Sequence, residues 1–454
     1  MSPLILSRIQ FGDTAAFHIL WPVMSIGIAL YMVVMESMWL YTKEESYYRQ
    51  LRFWTKIFVL TFAIGTASGL PLSLEFGTNW SQFAQAAGDF MGNILGFETT
   101  IAFALESAFL AILIFGWKRV HPLMHLFSTF MVFIGASISA FWIMVANSWM
   151  QVPEGITVQN GLIVVTNYSQ AIFNPDSVVS FMHMMGACVE SSLFLIGGIA
   201  AWQLLTTEAG PVRDFFRQTL VYCLAIALFV APLQVVIGDM SGLVVAQYQP
   251  EKLAALELQW DTNAPGEGAA WDVVAWPNST NNGNAFAVSI PNGLSLLTTH
   301  SMEGTVQGLN DFQASDRPSE MEAVITFYGF RLMMVIGFLL VALALWSIVL
   351  WWKGGLSSER IARHRAWLRC WVASIPLGFI ATEAGWMVRE IGRQPWTVYH
   401  LMRTADSVSI GLTSYEVGTT TLVVTAAYLV FAGVFIYLSY RIVRSGPDLV
   451  SPLP

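Results

Sequence analysis

Nine apolar runs, each of about 20 residues or more, recur along the 454 residues. A run of that length has few folded options besides crossing a bilayer, whose hydrocarbon core is about 30 Å thick. The runs cover roughly 14–40, 54–74, 94–116, 124–147, 180–205, 219–242, 324–351, 367–388 and 416–440. Charged residues make up only 11% of the chain, against about 25% in soluble domains. Backbone in lipid must satisfy its polar groups internally, so the predicted fold is an all-α polytopic membrane protein with nine transmembrane helices.

Basic residues orient such a bundle, because Lys and Arg concentrate in cytoplasmic connections. The connections near 41–56, 117–123, 206–218 and 352–369, with the C-terminal tail, hold 15 of the 22 Lys and Arg. The opposite side holds Arg8, Lys252, Arg317, Arg389, Arg393 and Arg403, and Arg331 falls inside a run. The N-terminus is therefore expected outside and the C-terminus in the cytoplasm. MSPLILSRIQFGD does not read as a cleavable signal peptide.

The longest connection, 243–322, is expected on the outer side, with a turn at NSTNNGN (278–284). A connection this long is usually functional. The predicted organisation is 1–242 with six helices, 243–322 as an outer loop, and 323–454 with three more helices. Cys188, Cys223 and Cys370 form no CxxC or zinc spacing and read as small core residues.

Ionisable groups at membrane depth carry the chemical information. Residues 381–396, ATEAGWMVREIGRQPW, place Glu383 in an apolar run, where a carboxylate costs about 2.5–3.5 kcal/mol on insertion scales. Glu36, Glu98, Glu106, Glu190, His18, His183 and Arg331 share the predicament. Glu36, near a span end, fits interhelical hydrogen bonding, and Glu190 a local hydrogen-bond partner on the His183 face. Glu98 and Glu106 stand on one predicted helix, stepped by roughly 12 Å and offset by roughly 80°, which suits a proton relay. His18 and His183, near the outer ends of separate helices, are either structural or ligands to something shared, and imidazole suits haem iron. Met333, two residues beyond Arg331, is either core filler or an axial ligand. His121, His125, His300, His364 and His400 read as solvated or interfacial.

LSRIQFGDTAAFH (6–18), FGTNWS (76–81), GFET…ALES (96–107), SAFWIMVANSWMQ (139–151), FMHMMGA (181–187), GDMSG (238–242), KLAALE (252–257), FRLMM (330–334) and EAGWMVREIGRQPW (383–396) together resemble subunit I of the cytochrome bd-type quinol oxidases. The resemblance covers almost the whole chain.

That resemblance implies a terminal oxidase subunit of the bacterial cytoplasmic membrane, oxidising ubiquinol or menaquinol outside and reducing O2 to water with cytoplasmic protons. His183 and Met333 match the ligands of a low-spin haem b. His18 and Glu383 match residues serving two high-spin haems, one a haem b and the other a haem d or a further haem b. Glu98 would sit beside the high-spin pair and Glu106 on the proton route. Lys252 and Glu257 match the quinol-oxidation positions. Arg331 would stabilise the low-spin haem, and Arg393 would contact haem propionates or the quinol loop. Trp386 and Trp396 would wall a macrocycle, with interfacial anchoring the other reading of Trp396. A homologous membrane subunit II and a small single-span accessory subunit are the implied partners. No nucleic-acid binding is expected. The loop length and GRQPWTVYHLMRTADSVS resemble the short-loop branch, which includes cyanide-insensitive oxidases.

Two other classes use some of the same residues. A membrane cytochrome could pass quinol electrons onward without reducing oxygen, but would need only doubly ligated haems. A proton-coupled transporter could use the carboxylates, but has no need for His183 with Met333, and the inverted repeats common in such folds are missing from this sequence.

Overall fold

The computed structural model describes residues 1–278, 280 and 282–453. The chain runs through α1 (Pro3–Thr42), α2 (Glu45–Thr78), α3 (Ser81–Ala86), α4 (Gly88–Phe97), α5 (Phe103–Phe115), α6 (Pro122–Gln151), α7 (Tyr168–Ile172), α8 (Ser177–Thr206) and α9 (Pro211–Tyr248). It continues through α10 (Pro250–Glu257), α11 (Gly293–Thr299), α12 (Glu320–Trp352), α13 (Arg365–Ala373), α14 (Leu377–Ile391), α15 (Thr404–Ser407) and α16 (Ser414–Ser445). Three small antiparallel hairpins interrupt it: β1 (Ile156–Gln159) with β2 (Leu162–Val165), β3 (Trp271–Asn278) with β4 (Gly283–Ile290), and β5 (Trp396–Val398) with β6 (Met402–Arg403). Among the described residues, nine helical stretches are long and apolar enough to cross a membrane, and they coincide with the nine predicted runs.

Two of the nine differ from a simple rod. The third is α4, a π-helical turn at Glu98–Ala102, then α5. A π turn absorbs one extra residue. Eight positions along the chain then act as about seven, and the expected 80° offset of Glu98 and Glu106 shrinks to roughly 20°. The eighth breaks between α13 and α14 at Ser374–Pro376, because proline has no N–H to continue the helix.

Capping residues set the helix starts. Ser2 accepts from the Ile5 N–H ahead of Pro3, and Ser319–Glu322 and Thr413–Glu416 form capping boxes on α12 and α16. Arg8 reaches Glu322 at 2.7 Å, fixing the start of α12 against α1. Small residues let the backbones approach closely. A Cβ on Gly27 would fall 2.4 Å from the Cys188 carbonyl, so α1 and α8 need glycine there.

The main core joins α1, α2, α8, α9, α12 and α13 around Phe53, Trp54, Phe194, Phe216, Trp367 and Trp371. Helix α16 lies at the edge. Only 6% of its apolar window is buried, and Leu422, Val423, Leu429, Val430 and Ile436 are bare, as expected of a face meeting lipid or another subunit. Cys188 and Cys223 are core residues as expected, whereas Cys370 is exposed on α13.

The connection from α9 to α12 is folded, with α10, the β3–β4 hairpin and α11 packed over the ends of α9 and α12. Asn278 pairs with Gly283 across the predicted turn. Ser279 and Asn281 of that turn lie outside the described residues.

Candidate functional site

His183 stands on the second turn of α8 and faces α9, where a Cβ on Gly238 would lie 3.3 Å from its ring. Its Nδ1 is buried without a hydrogen-bond partner among the described residues. Met333 on α12 presents its sulfur to α14, 3.1 Å from where a Gly385 Cβ would be. Two residues before Gly385, Glu383 has a buried Oε1, also unpartnered. His18 on α1 gives Nδ1 to a hydrogen bond with Ser68 at 3.0 Å, which leaves Nε2 free, and Gly69 sits against its ring. Trp386 is half-buried one turn beyond Glu383.

These donors fit haem. Buried polar atoms left unpaired are costly, and two of the four donors carry one, His183 at Nδ1 and Glu383 at Oε1. Gly238, Gly385 and Gly69 put no side chain against His183, Met333 and His18. Among the described residues no set of three or more His, Cys, Asp or Glu could hold a bare metal ion. Haem iron needs only axial ligands from the protein. A hydrogen bond to the other ring nitrogen, such as Ser68 to His18, fixes a ring for ligation.

Glu98 accepts hydrogen bonds from Ser139 at 2.7 Å and Thr99 at 3.2 Å. Glu106 is buried against Gly135 of α6. Ser139 and Gly135 are one helical turn apart, so α6 runs beside both carboxylates. Glu36 bears out the interhelical reading: it is fully buried, 2.6 Å from His125 Nδ1 and 2.6 Å from the Thr129 hydroxyl. His125 is therefore not solvated as expected. It lies inside α6, and its Nε2 meets the Leu113 carbonyl. Its place beside a predicted span boundary concealed this. Glu190 makes no side-chain hydrogen bond among the described residues, so it is not the local partner expected, and its buried Oε1 is unpaired.

At the end of the bundle bearing the α9–α12 connection, charges are buried in a polar layer. Lys252 Nζ donates to Gln151 at 3.1 Å, Gln249 at 3.3 Å and the Arg389 carbonyl at 3.1 Å. Burial lowers its amine to about 7. Glu257, at the other end of α10, pairs with Arg331 at 2.6 Å. Burial pushes this carboxyl up, with Arg331 opposing. Arg331 also donates to the Leu256 and Asp272 carbonyls, so it joins α12, two residues from Met333, to the loop. Lys252 and Glu257 thus share a helix but make separate contacts. Arg393 is buried, donates to Glu390 at 2.6 Å and to the Trp396 carbonyl, and keeps an unpartnered Nη1. Burial lowers its guanidinium below the usual range. Trp396 lies under Arg403, its guanidinium 4.4 Å from the ring centre.

Sequence reasoning missed Arg389 and Asp176. Arg389 on α14 pairs with Asp176 at 2.5 Å before α8, and donates to Ser180 and Ser148 and to Asn147. It ties together the helices that carry Glu383 and His183. Counted as an ordinary outer basic residue, it gave one signal: a position six residues after Glu383, still on the same helix.

Long apolar helices, unpartnered imidazole and carboxylate beside small residues, and a charged cap over one end are the features of a multi-pass membrane protein whose residues fit haem. The profile of the family described as cytochrome bd terminal oxidase subunit I matches residues 6–447. Cytochrome bd ubiquinol oxidase subunit 1 of Bacillus subtilis (strain 168) is 32% identical over 462 residues, covering 99% of this chain and 95% of the relative. Cytochrome bd-II ubiquinol oxidase subunit 1 of Escherichia coli (strain K12) is 33% identical over 510 residues, covering 98% and 96%. The solved bd oxidase from Geobacillus thermodenitrificans superposes with a TM-score of 0.88 at 30% identity, covering 98% of this chain and 99% of that one. The chain belongs to the cytochrome bd terminal oxidase subunit I family. It is an oxidoreductase, one membrane subunit of a terminal oxidase.

Proposed function

We propose that this chain is the haem-bearing catalytic subunit of a quinol oxidase that oxidises quinol at the outer face and reduces O2 to water with cytoplasmic protons. The observation that carries this reading is the buried, unpartnered donors on His183 and Glu383, in a chain matched by the oxidase family along nearly its whole length. The alternative of a cytochrome that does not reduce oxygen is disfavoured because His18 and Glu383 stand as single donors on separate helices, α1 and α14. The basic-residue bias supports an outer N-terminus and a cytoplasmic C-terminus. In this reading 1–242 are the helices bearing a high-spin site and the proton path, 243–322 the outer quinol loop, and 323–454 the helices completing the haem sites.

His183 and Met333 would hold a low-spin haem b. His18 and Glu383 would serve the high-spin haem b and a haem d, or a further haem b. Bound there, the haems supply electron transfer and the oxygen-binding iron. Glu106 takes protons from the cytoplasmic side and Glu98 passes them on, with the Ser139 hydroxyl orienting Glu98. The folded α9–α12 connection keeps Lys252 and Glu257 out of water, where each is poised to take a proton from a quinol hydroxyl. Because quinol protons leave outside and the consumed protons come from inside, charge is separated without a pump. A homologous subunit II and a single-span accessory subunit would complete the complex in the bacterial inner membrane, with ubiquinol or menaquinol as substrate.

A reduced-minus-oxidised absorption spectrum with haem extraction tests the reading. Three haems including a red chlorin band place haem d in the oxygen site, and three b haems place the chain in the cyanide-insensitive branch. Folded protein that binds no haem in cells would sink the assignment.

The quinol positions give a separate expectation. Lys252→Met lowers quinol turnover by about 100-fold, the low end for a lost proton-transfer group, while the haem spectrum stays intact. The Lys252 amine is neutral, and able to accept, only above about pH 7. Quinol turnover therefore rises with pH through that value in the unmodified enzyme. Steady-state oxygen uptake against pH should show this limb flattened in the variant, and a normal limb there would remove Lys252 from the site.

A further inference from the structure

One buried carboxylate at the loop end has no place in that scheme. Glu251, next to Lys252 on α10, is 6% exposed, yet its two oxygens reach a short hairpin from a distant part of the chain. The Tyr399 hydroxyl donates to Oε2, and His400 Nε2 lies 3.1 Å from Oε1. The His400 side chain is 52% exposed, so the contact joins a buried carboxylate to water through a single imidazole.

The backbone holds His400 there against its preference. Its φ is +56°, the left-handed region that residues other than glycine and asparagine seldom enter. Such strain persists where the surroundings over-determine it, often at working sites. Here Tyr399 stacks on the imidazole at 4.1 Å between ring centres, Trp396 meets it edge-on, and the Tyr399 N–H donates to the Met150 carbonyl of α6. The charged and titratable groups about the pair are Tyr399 and Arg403 from the hairpin, with Lys252 beside Glu251 on α10.

We propose that Glu251 and His400 form the exit by which quinol protons reach the outer water. The inference rests on the reading of this loop as the quinol site. Oxidation of a quinol to a quinone removes two electrons and two protons. The electrons leave through the oxidase to O2, the oxidant of the family's activity. Each proton in turn passes from its first acceptor at the quinol site to the Glu251 carboxylate and from that carboxyl to His400 Nε2, and the proton on Nδ1 leaves to water. The exposed ring regains its starting tautomer by exchange with water. The Tyr399 hydroxyl, held on the other oxygen, keeps Glu251 aimed at the imidazole.

The test uses the assembled oxidase in membranes with a soluble quinol, at low buffer concentration. Glycine suits the backbone at 400, so His400→Gly removes the imidazole without added strain. Quinol turnover is expected to fall at least about tenfold, modest beside the 100-fold or more of a full acid–base group, and added imidazole restores it. Glu251→Gln falls likewise and is not restored, because its break lies inside the protein. The haem spectra of both variants match the parent. Parental turnover in both variants would overturn the proposal, as would a loss in His400→Gly that imidazole leaves untouched, which would make His400 a hairpin clamp. Failure of the parent enzyme itself to oxidise quinol would overturn the quinol reading, and the inference with it.

Discussion

His183→Ala is expected to abolish the low-spin haem signal while the high-spin signals persist. The imidazole has a buried nitrogen with no partner among the described residues, and Gly238 of α9 puts no side chain against it. Among the described residues the adjacent polar groups are poor substitutes: Gln234 gives its amide N–H to the His183 carbonyl and keeps only a neutral amide oxygen, a weak donor to haem iron, and Arg389 is committed to Asp176. Removing a residue that only hydrogen-bonds a metal ligand costs about 10–100-fold in affinity, so loss of the proposed ligand itself belongs above that range. Met333→Ala should give the same spectrum by a different route, because the thioether against Gly385 is the proposed second donor. Quinol-driven oxygen uptake falls with the signal in both. His121→Gln, at the exposed cap of α6, is the comparison that leaves the spectrum alone. Low-spin bands of parental intensity in either ligand variant would refute the His183–Met333 assignment.

Much of this site could be read from one sequence, for reasons that differ residue by residue. His183, Met333, His18 and Glu383 stood out because polar or soft donors in apolar helices need an explanation, and recurrent motifs supplied one. The nine spans were legible because hydrocarbon thickness imposes a length that composition cannot hide. What escaped depends on neighbours distant in sequence. His125 was misplaced because its partner, Glu36, lies 89 positions away and only helix packing joins them. The π turn at Glu98 was invisible because no residue in ETTIA demands it, and it appears only when α4 and α5 settle on α6. The break at Pro376 was the reverse, a local signal masked by the apolar run around it. Arg389 looked like an ordinary outer charge, since burial in the packed structure leaves no mark in local composition.

The same reasoning leads to a sign change at Glu383, the residue whose burial is hardest to rationalise without iron. The Glu383 side chain has a buried oxygen without a partner among the described residues, an arrangement that costs stability unless a cation meets it. With a ferric haem the carboxylate meets a cation, and the cost is offset. Glu383→Gln should therefore stabilise the haem-free chain and destabilise the haem-loaded one. The gap should reach up to about 3 kcal/mol, the scale of an acidic group at membrane depth. Thermal unfolding of both forms in the same detergent measures it. Oxygen reduction should be lost together with one high-spin haem, and His18→Ala should cause a parallel loss, because Ser68 fixes that ring but offers no ligand in its place. If the variant destabilises both forms alike, Glu383 is a structural acid in the bundle and the high-spin site must be sought elsewhere.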